Sequence, residues 1–409
     1  MNSSESTEAG RDADRHGPPS APPRPFGYYD PFDPEFAREA IEQVFRPLLD
    51  HYFRPRLLGA HRLPQNGPLI LAANHSGNAF PYDAMVLDSV LWRRKGYRSE
   101  FKFRSVFEKK LALTWWMRPF GLDNFWRRCG GVDMSFDNFN RLLDRRERVI
   151  YYPEGVPGIG KGFRRRYQLQ PFHTSFVTLA ARHGAPVYPL YIINAEWVIP
   201  FSFTLKPVNW LMRKLFHVPF LPLPAAPIGI LFPFAWYLTL PARMVMVVGE
   251  PIDVAAMLAE EGITALDRPH HAELQKVAGR VRAKMQRELS RNVRRYGRWP
   301  YQVRSLRRAW RRARQQRRLS WVLPTGWAPR FVRFERNRHR PAARNRLRAL
   351  LRDWDLIGFY LPLGWPLLSL ARAWRRYPCG YRGMSRDQRR EIEGDFYWRL
   401  AERPLPPRE

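Results

Sequence analysis

The run Leu69-Ile70-Leu71-Ala72-Ala73-Asn74-His75-Ser76-Gly77-Asn78-Ala79-Phe80-Pro81-Tyr82-Asp83 decides how the rest of this chain is read. Its first five residues are apolar without a break, the pattern of a strand buried on both faces. A histidine then stands where the strand ends and a loop with glycine and proline begins. A strand end holds the backbone while a loop leaves the side chain reachable, so chemistry collects there. Beyond Asp83, Ala84-Met85-Val86-Leu87 starts a helix. Imidazole takes a proton from a hydroxyl near neutral pH. A carboxylate beside it fixes the tautomer and steadies the imidazolium, and Asp83 is the nearest one in sequence. Both residues also have plainer readings: a hydrogen-bonded structural histidine, and an aspartate that caps a helix.

The answering half lies at residues 148–167. Arg148-Val149-Ile150-Tyr151-Tyr152 reads as a second strand, running into Pro153-Glu154-Gly155. A loop follows with Gly158, Gly160, Lys161, Gly162, Arg164, Arg165 and Arg166. Glycines free backbone N–H groups, while Lys and Arg bring charge and forked donors, which suits an anionic substrate. A solvated basic loop has the same composition.

Together, Asn74-His75 with Asp83, Tyr152-Pro153-Glu154-Gly155, and Val187-Tyr188-Pro189-Leu190-Tyr191 resemble the ordered motifs of the glycerolipid acyltransferase superfamily. Ser76-Gly77, and Gly158, Lys161, Arg166-Tyr167, Leu169 and Phe172 after the second motif, are similar to one branch of it. That branch includes bacterial relatives of monoacylglycerol and diacylglycerol acyltransferases. The likeness runs from about Phe36 to Val254. It implies an α/β fold, a layered acyltransferase-type domain with a mixed sheet flanked by helices. It implies His75 as general base and Asp83 as the carboxylate that orients it. Asn74, Ser76, Gly77, Glu154, Gly155, Lys161 and Arg166 form the implied substrate-binding set. In that set Glu154 and Gly155 shape the acceptor site, and Lys161 and Arg166 hold phosphate.

The implied reaction moves a long acyl chain from a thioester, acyl-CoA or acyl-ACP, to a hydroxyl of a glycerolipid-like acceptor. The thioester is a co-substrate. No cofactor is implied, and no group of His, Cys and acid has metal-ligand spacing. N–H groups near Gly77 or Gly155 are the expected oxyanion donors. The chain departs from the family in one respect. Seven residues separate His75 from Asp83, where the family motif has four. Gly77, Asn78 and Pro81 offer a turn to return the carboxylate, and Asp88 is the less favoured substitute.

Lys and Arg number 69 against 37 Asp and Glu in 409 residues, a formal net charge of +32. Such an excess calls for an anionic partner, nucleic acid or an anionic membrane. The chain's 15 Trp, 17 Tyr and 26 Phe favour the membrane, because Trp and Tyr settle at the lipid–water interface. Cys129 and Cys379 offer no disulfide framework.

Residues 1–32 lack the apolar core of a signal peptide and read as a disordered tail. Residues 33–58 read as amphipathic N-terminal helices whose Phe-rich face lies on a bilayer or, the favoured reading, packs on the next domain, and which Pro47 should kink or split. Residues 59–270 read as the acyltransferase domain, with Arg127 and Arg128 as further candidates for holding the acceptor. Within it, residues 199–242 form an apolar, Pro-rich insertion. No charged residue falls between 215 and 242, yet six prolines exclude one regular membrane helix. That leaves an interfacial segment or a buried linker.

Residues 271–409 read as a basic, aromatic-rich helical extension lying on a membrane surface. Residues 291–348 hold twenty Arg and a single acid, Glu335. The expected partners are an anionic membrane surface, a lipid acceptor, and acyl-CoA or acyl carrier protein. Nucleic acid is disfavoured because no recognised module for it is present. The expected place is the cytoplasmic face of a membrane, peripheral or monotopic. The competing reading is a non-catalytic basic protein, bound to membranes or nucleic acid, on an acyltransferase scaffold.

Overall fold

In the computed structural model the described residues are 32–76, 81–107, 125–203, 205–216, 228, 231–263, 270–316, 323–339, 351–364 and 367–368. Residues 1–31 of the expected tail, Gly77, Asn78, most of 217–230 and Cys379 lie outside them. Among the described residues one mixed sheet has seven strands: β1 (Arg56–Leu58), β2 (Leu69–Ala73), β3 (Phe103–Phe107), β4 (Val132–Asp133), β5 (Arg148–Tyr151), β6 (Val187–Ile193) and β7 (Val245–Val248). Their order across the sheet is β1-β7-β6-β2-β5-β3-β4. Every pairing is parallel except β6 with β7.

The all-apolar β2 lies between β6 and β5, buried on both faces. Its residues alternate between two cores, as a period of two dictates. Leu69, Leu71 and Ala73 face one core with Ile150, Leu190, Ile192 and Met246. Ile70 and Ala72 face the other with Val149, Tyr151, Tyr191 and Ile193. The expected mixed sheet flanked by helices is the one found.

The N-terminal segment packs inward, with Phe36, Phe45 and Phe53 fully buried. Asp33 starts it by accepting a hydrogen bond from Phe36 N. Pro47 does not split it. The α-helical turn Pro34–Ala40 continues through π-helical turns at Ile41–Phe45 and Leu48–Phe53, whose wider turns accommodate the proline's missing donor. The segment also ends earlier than expected, because Arg56–Leu58 leaves the helix to pair with β7.

The largest correction concerns the C-terminal part. The helix His271–Tyr296 buries Val277, Ala278, Val281, Met285 and Leu289 in the second core. The helix Trp327–His339 places Trp327, Phe331 and Val332 in the first, against Phe36, Phe45 and Phe125. Both seal the sheet domain instead of standing apart from it. The apolar segment before β7 divides in two. Tyr237, Thr239 and Ala242 are buried, and Tyr52 and Tyr82 donate their hydroxyls to the carbonyls of Thr239 and Tyr237. Phe201, Phe203, Leu205, Trp210, Ile228 and Leu231 are exposed. No helix among the described residues is long and apolar enough to cross a membrane.

Candidate active site

The site is built where β2 and β5 end side by side. Past β2, Asn74 closes the strand end onto β6. Its Oδ1 accepts from Ile192 N at 2.7 Å and its Nδ2 donates to Ile192 O at 3.1 Å. The carboxamide is thus spent on the sheet rather than on a substrate. His75 follows, 3.2 Å from Asp83 Oδ2 through its Nδ1. Ser76 N donates to that same oxygen at 2.9 Å, and Ala84 N to Asp83 Oδ1 at 2.9 Å. Asp83 lies in the first turn of the helix Tyr82–Arg94, so the same carboxylate caps the turn and reaches back to the imidazole. Burial opposes its ionisation. The hydrogen bond and charge of His75, with the two backbone donors, outweigh burial and hold it below the usual carboxylate range.

From β5, Tyr152 stacks on the imidazole, ring centroids 3.9 Å apart and planes 12° from parallel. Glu154 is fully buried. Its Oε1 accepts from His75 N at 3.0 Å and its Oε2 from Gln170 N at 2.8 Å. Lys161 turns inward, its Nζ 3.5 Å from Glu154 Oε2 and its side chain fully buried. It therefore braces the glutamate and presents no charge to solvent. Arg166, by contrast, is exposed, its guanidinium over Phe163 and Trp197. Gly155 lines the pocket, but its N–H donates to Tyr152 O at 2.9 Å, so it is not a free oxyanion donor. Arg127 is paired with Asp133 and Arg128 with Glu335. Both hold the fold together instead of waiting for an acceptor.

His75 and Tyr152 open onto an apolar pocket whose walls include Phe45, Met85, Val106, Phe107 and Phe125. Asp88 and Ser105 also line it, and Asp88 is paired with Lys102. Three polar atoms on this pocket, Asp88 Oδ1, Ser105 Oγ and the Tyr152 hydroxyl, have no hydrogen-bond partner in the protein. Cys129 is also on its wall, and burial pushes its thiol well up, which removes it as a nucleophile.

Three features of the site escaped the sequence. One is the stacking of Tyr152, visible there only as a motif letter. Another is why position 158 must be glycine, read there only as a motif position: a β-carbon on it would stand 2.6 Å from Glu154 Cβ and 3.0 Å from His75 Cβ. The last is Glu196, buried with Oε2 unpartnered. Burial pushes its carboxyl up to about 7, against the pull of Lys161.

A carboxylate-backed histidine thus stands at the end of a central parallel strand, facing an apolar pocket. Residues 54–193 match the acyltransferase family model, so the chain carries an acyltransferase domain over the stretch whose motifs resemble the glycerolipid enzymes. An uncharacterized protein of Mycobacterium tuberculosis is 28% identical over 55% of this chain and 59% of its own length. One of Mycobacterium leprae is 28% identical over 58% of this chain and 62% of its own. The chain thus spans about three fifths of these relatives. The crystal structure of the 1-acyl-sn-glycerophosphate acyltransferase PlsC from Thermotoga maritima is similar at a TM-score of 0.36 and 16% identity, over 62% of this chain and 79% of that one. That likeness is too loose to speak to an acceptor.

Proposed function

We propose that this acyltransferase moves a long acyl chain from a thioester, on CoA or acyl carrier protein, to a hydroxyl of a glycerolipid-like acceptor at a membrane surface. The observation that carries the reading is the His75–Asp83 contact at the mouth of the apolar pocket. With Nδ1 facing the carboxylate, Nε2 is the nitrogen left to accept the hydroxyl proton. The alkoxide oxygen attacks the thioester carbonyl. The tetrahedral intermediate then collapses, the C–S bond breaks, and the thiolate takes the proton back from the imidazolium. Asp83 and the face of Tyr152 steady that cation.

A pocket with apolar walls and three unsatisfied polar atoms suits an amphipathic substrate, a hydrocarbon carrying ester or hydroxyl oxygens. The surface supports membrane contact. Phe201, Phe203, Leu205, Trp210 and Leu211 are exposed. So are Leu231 and Leu363, tied together by a backbone hydrogen bond. The helix Val303–Gln315 adds an arginine-rich face. Apolar side chains beside basic ones are the composition of an interfacial anchor.

The test is transfer of labelled long-chain acyl-CoA, and separately acyl-ACP, to a panel of lipid acceptors in anionic vesicles. His75→Ala should lower transfer by about a thousandfold or more and Asp83→Asn by about a hundredfold or more. Circular dichroism and vesicle binding should stay unchanged. Transfer that survives His75→Ala removes the histidine from the chemistry.

A further inference from the structure

Four arginines, Arg56, Arg243, Arg295 and Arg298, line one groove at the β1–β7 edge of the sheet, with Tyr296 and Trp299 beside them. No carboxylate is among the described residues of its wall. The Arg298 guanidinium lies 5.8 Å from the Trp299 ring and that of Arg295 lies 5.3 Å from Tyr296. Arg243 is fixed in place. Its Nε donates to Arg54 O at 3.2 Å and its Nη1 to Gln302 Oε1 at 2.5 Å.

Behind it stands Arg54, more than nine-tenths buried. Its Nη2 donates to the carbonyls of Pro241 and Tyr301, while Nε and Nη1 have no protein partner. Burial and the charge of Arg243 bring Arg54 down to about 10. Burial and the charge of Arg56 lower Arg243. The fold therefore holds a line of cations together against their repulsion, two of them, Arg56 and Arg243, lining a groove with no carboxylate among the described residues of its wall. An anion in the groove relieves that repulsion, and the guanidinium fork matches phosphate oxygens in pairs.

The strand register fixes where this groove lies. Arg56 pairs with Val245, and Val245 with Ile193. Ile193 follows Ile192, on which Asn74 is hooked. The groove is thus at the same end of the sheet as His75, three strands away, about 14 Å at ordinary strand spacing.

We propose that this groove is a second site of the enzyme, one that binds a phosphate ester, either a phosphate of the thioester donor or that of an anionic lipid headgroup. The choice of these two sources rests on the acyl-transfer reading; the site rests on the arginines. The experiment uses the full chain and reads binding without turnover. Two variants of equal charge change are compared with wild type: Arg56→Gln/Arg295→Gln/Arg298→Gln in the groove, and Arg304→Gln/Arg307→Gln/Arg311→Gln on the exposed helix Val303–Gln315. All six side chains are exposed, so folding should be spared, and thermal melts check it.

Affinity is measured by calorimetry for CoA and by co-sedimentation for phosphatidylglycerol vesicles, with phosphatidylcholine vesicles as the neutral reference. The groove variant should lose about tenfold more affinity than the helix variant for at least one anionic probe. Arg298→Gln alone should move the same probe in the same direction. A selective loss for CoA names the donor as the source. A selective loss for phosphatidylglycerol names the headgroup. Equal changes in both variants, or none, overturn the site. Because no transfer is read, a failed His75 assignment would leave this result standing.

Discussion

At the scale of single residues, the site is held by close fits more than by charge. Gly158 shows this best. A methyl there would meet Glu154 Cβ and His75 Cβ, atoms next to the backbone that cannot swing aside. Gly158→Ala should therefore push the imidazole out of register with Asp83. We expect kcat/KM to fall roughly tenfold to a hundredfold, with about 1–3 kcal/mol of stability lost by urea melts. Loss of stability with activity intact would mean that the loop absorbs the methyl elsewhere.

Glu196 gives a prediction in pH. Its carboxyl is raised from 4.5 to about 7, so between those values the folded protein keeps a proton that the unfolded chain has released. Stability contributed by this group is then lost as pH rises through that window. Glu196→Gln should flatten that part of the stability curve. It should leave the variant ahead of wild type near pH 8 by up to ~3 kcal/mol, as measured by urea melts from about pH 5 to about pH 8. An unchanged slope would show that Glu196 stays ionised beside Lys161. His75, Asp83 and Glu154 were legible in the sequence because motif order singles them out. The inward turn of Lys161 was not, since a lysine among glycines and arginines reads as solvated whichever way it points.

At the scale of elements, β2 and β5 were legible to within a residue, whereas β1 was hidden at the end of the helical N-terminal segment. Burial on both faces leaves an unbroken apolar run that little else produces. The long C-terminal helices were misplaced for a physical reason. Arginines on the outer face of a helix look the same whether the inner face meets lipid or a protein core. The stripe Val277, Val281, Met285 and Leu289 meets the core. The helix Trp327–His339 does likewise, with Phe331 packed edge-on against Phe36 and Phe125. Phe331→Ala should accordingly cost about 3–5 kcal/mol in urea melts. A residue resting on a bilayer would lose vesicle binding and keep its stability.

At the scale of the whole molecule, the family motifs account for residues 54–193, yet the domain needs more chain than that. β7 separates β1 from β6, and each core is sealed by a helix from beyond residue 270. Composition foretold the basic, aromatic surface but could not say which arginines stay outside and which are drawn in against Asp133 or Glu335.

The meeting of Phe36 with Phe331 has a consequence for how the protein is made. These rings lie at opposite ends of the described chain, and β1 likewise waits for β7 to emerge. At about 5–20 residues per second on the ribosome, the first helix stands without its partner for roughly 15–60 s. For that interval Phe36 and Phe45 lack the Phe331 and Trp327 rings, and the earlier chain, Phe125 included, covers only part of them. The nascent protein is then a client for holding chaperones, or for the lipid its finished form is proposed to work on, before it has an active site.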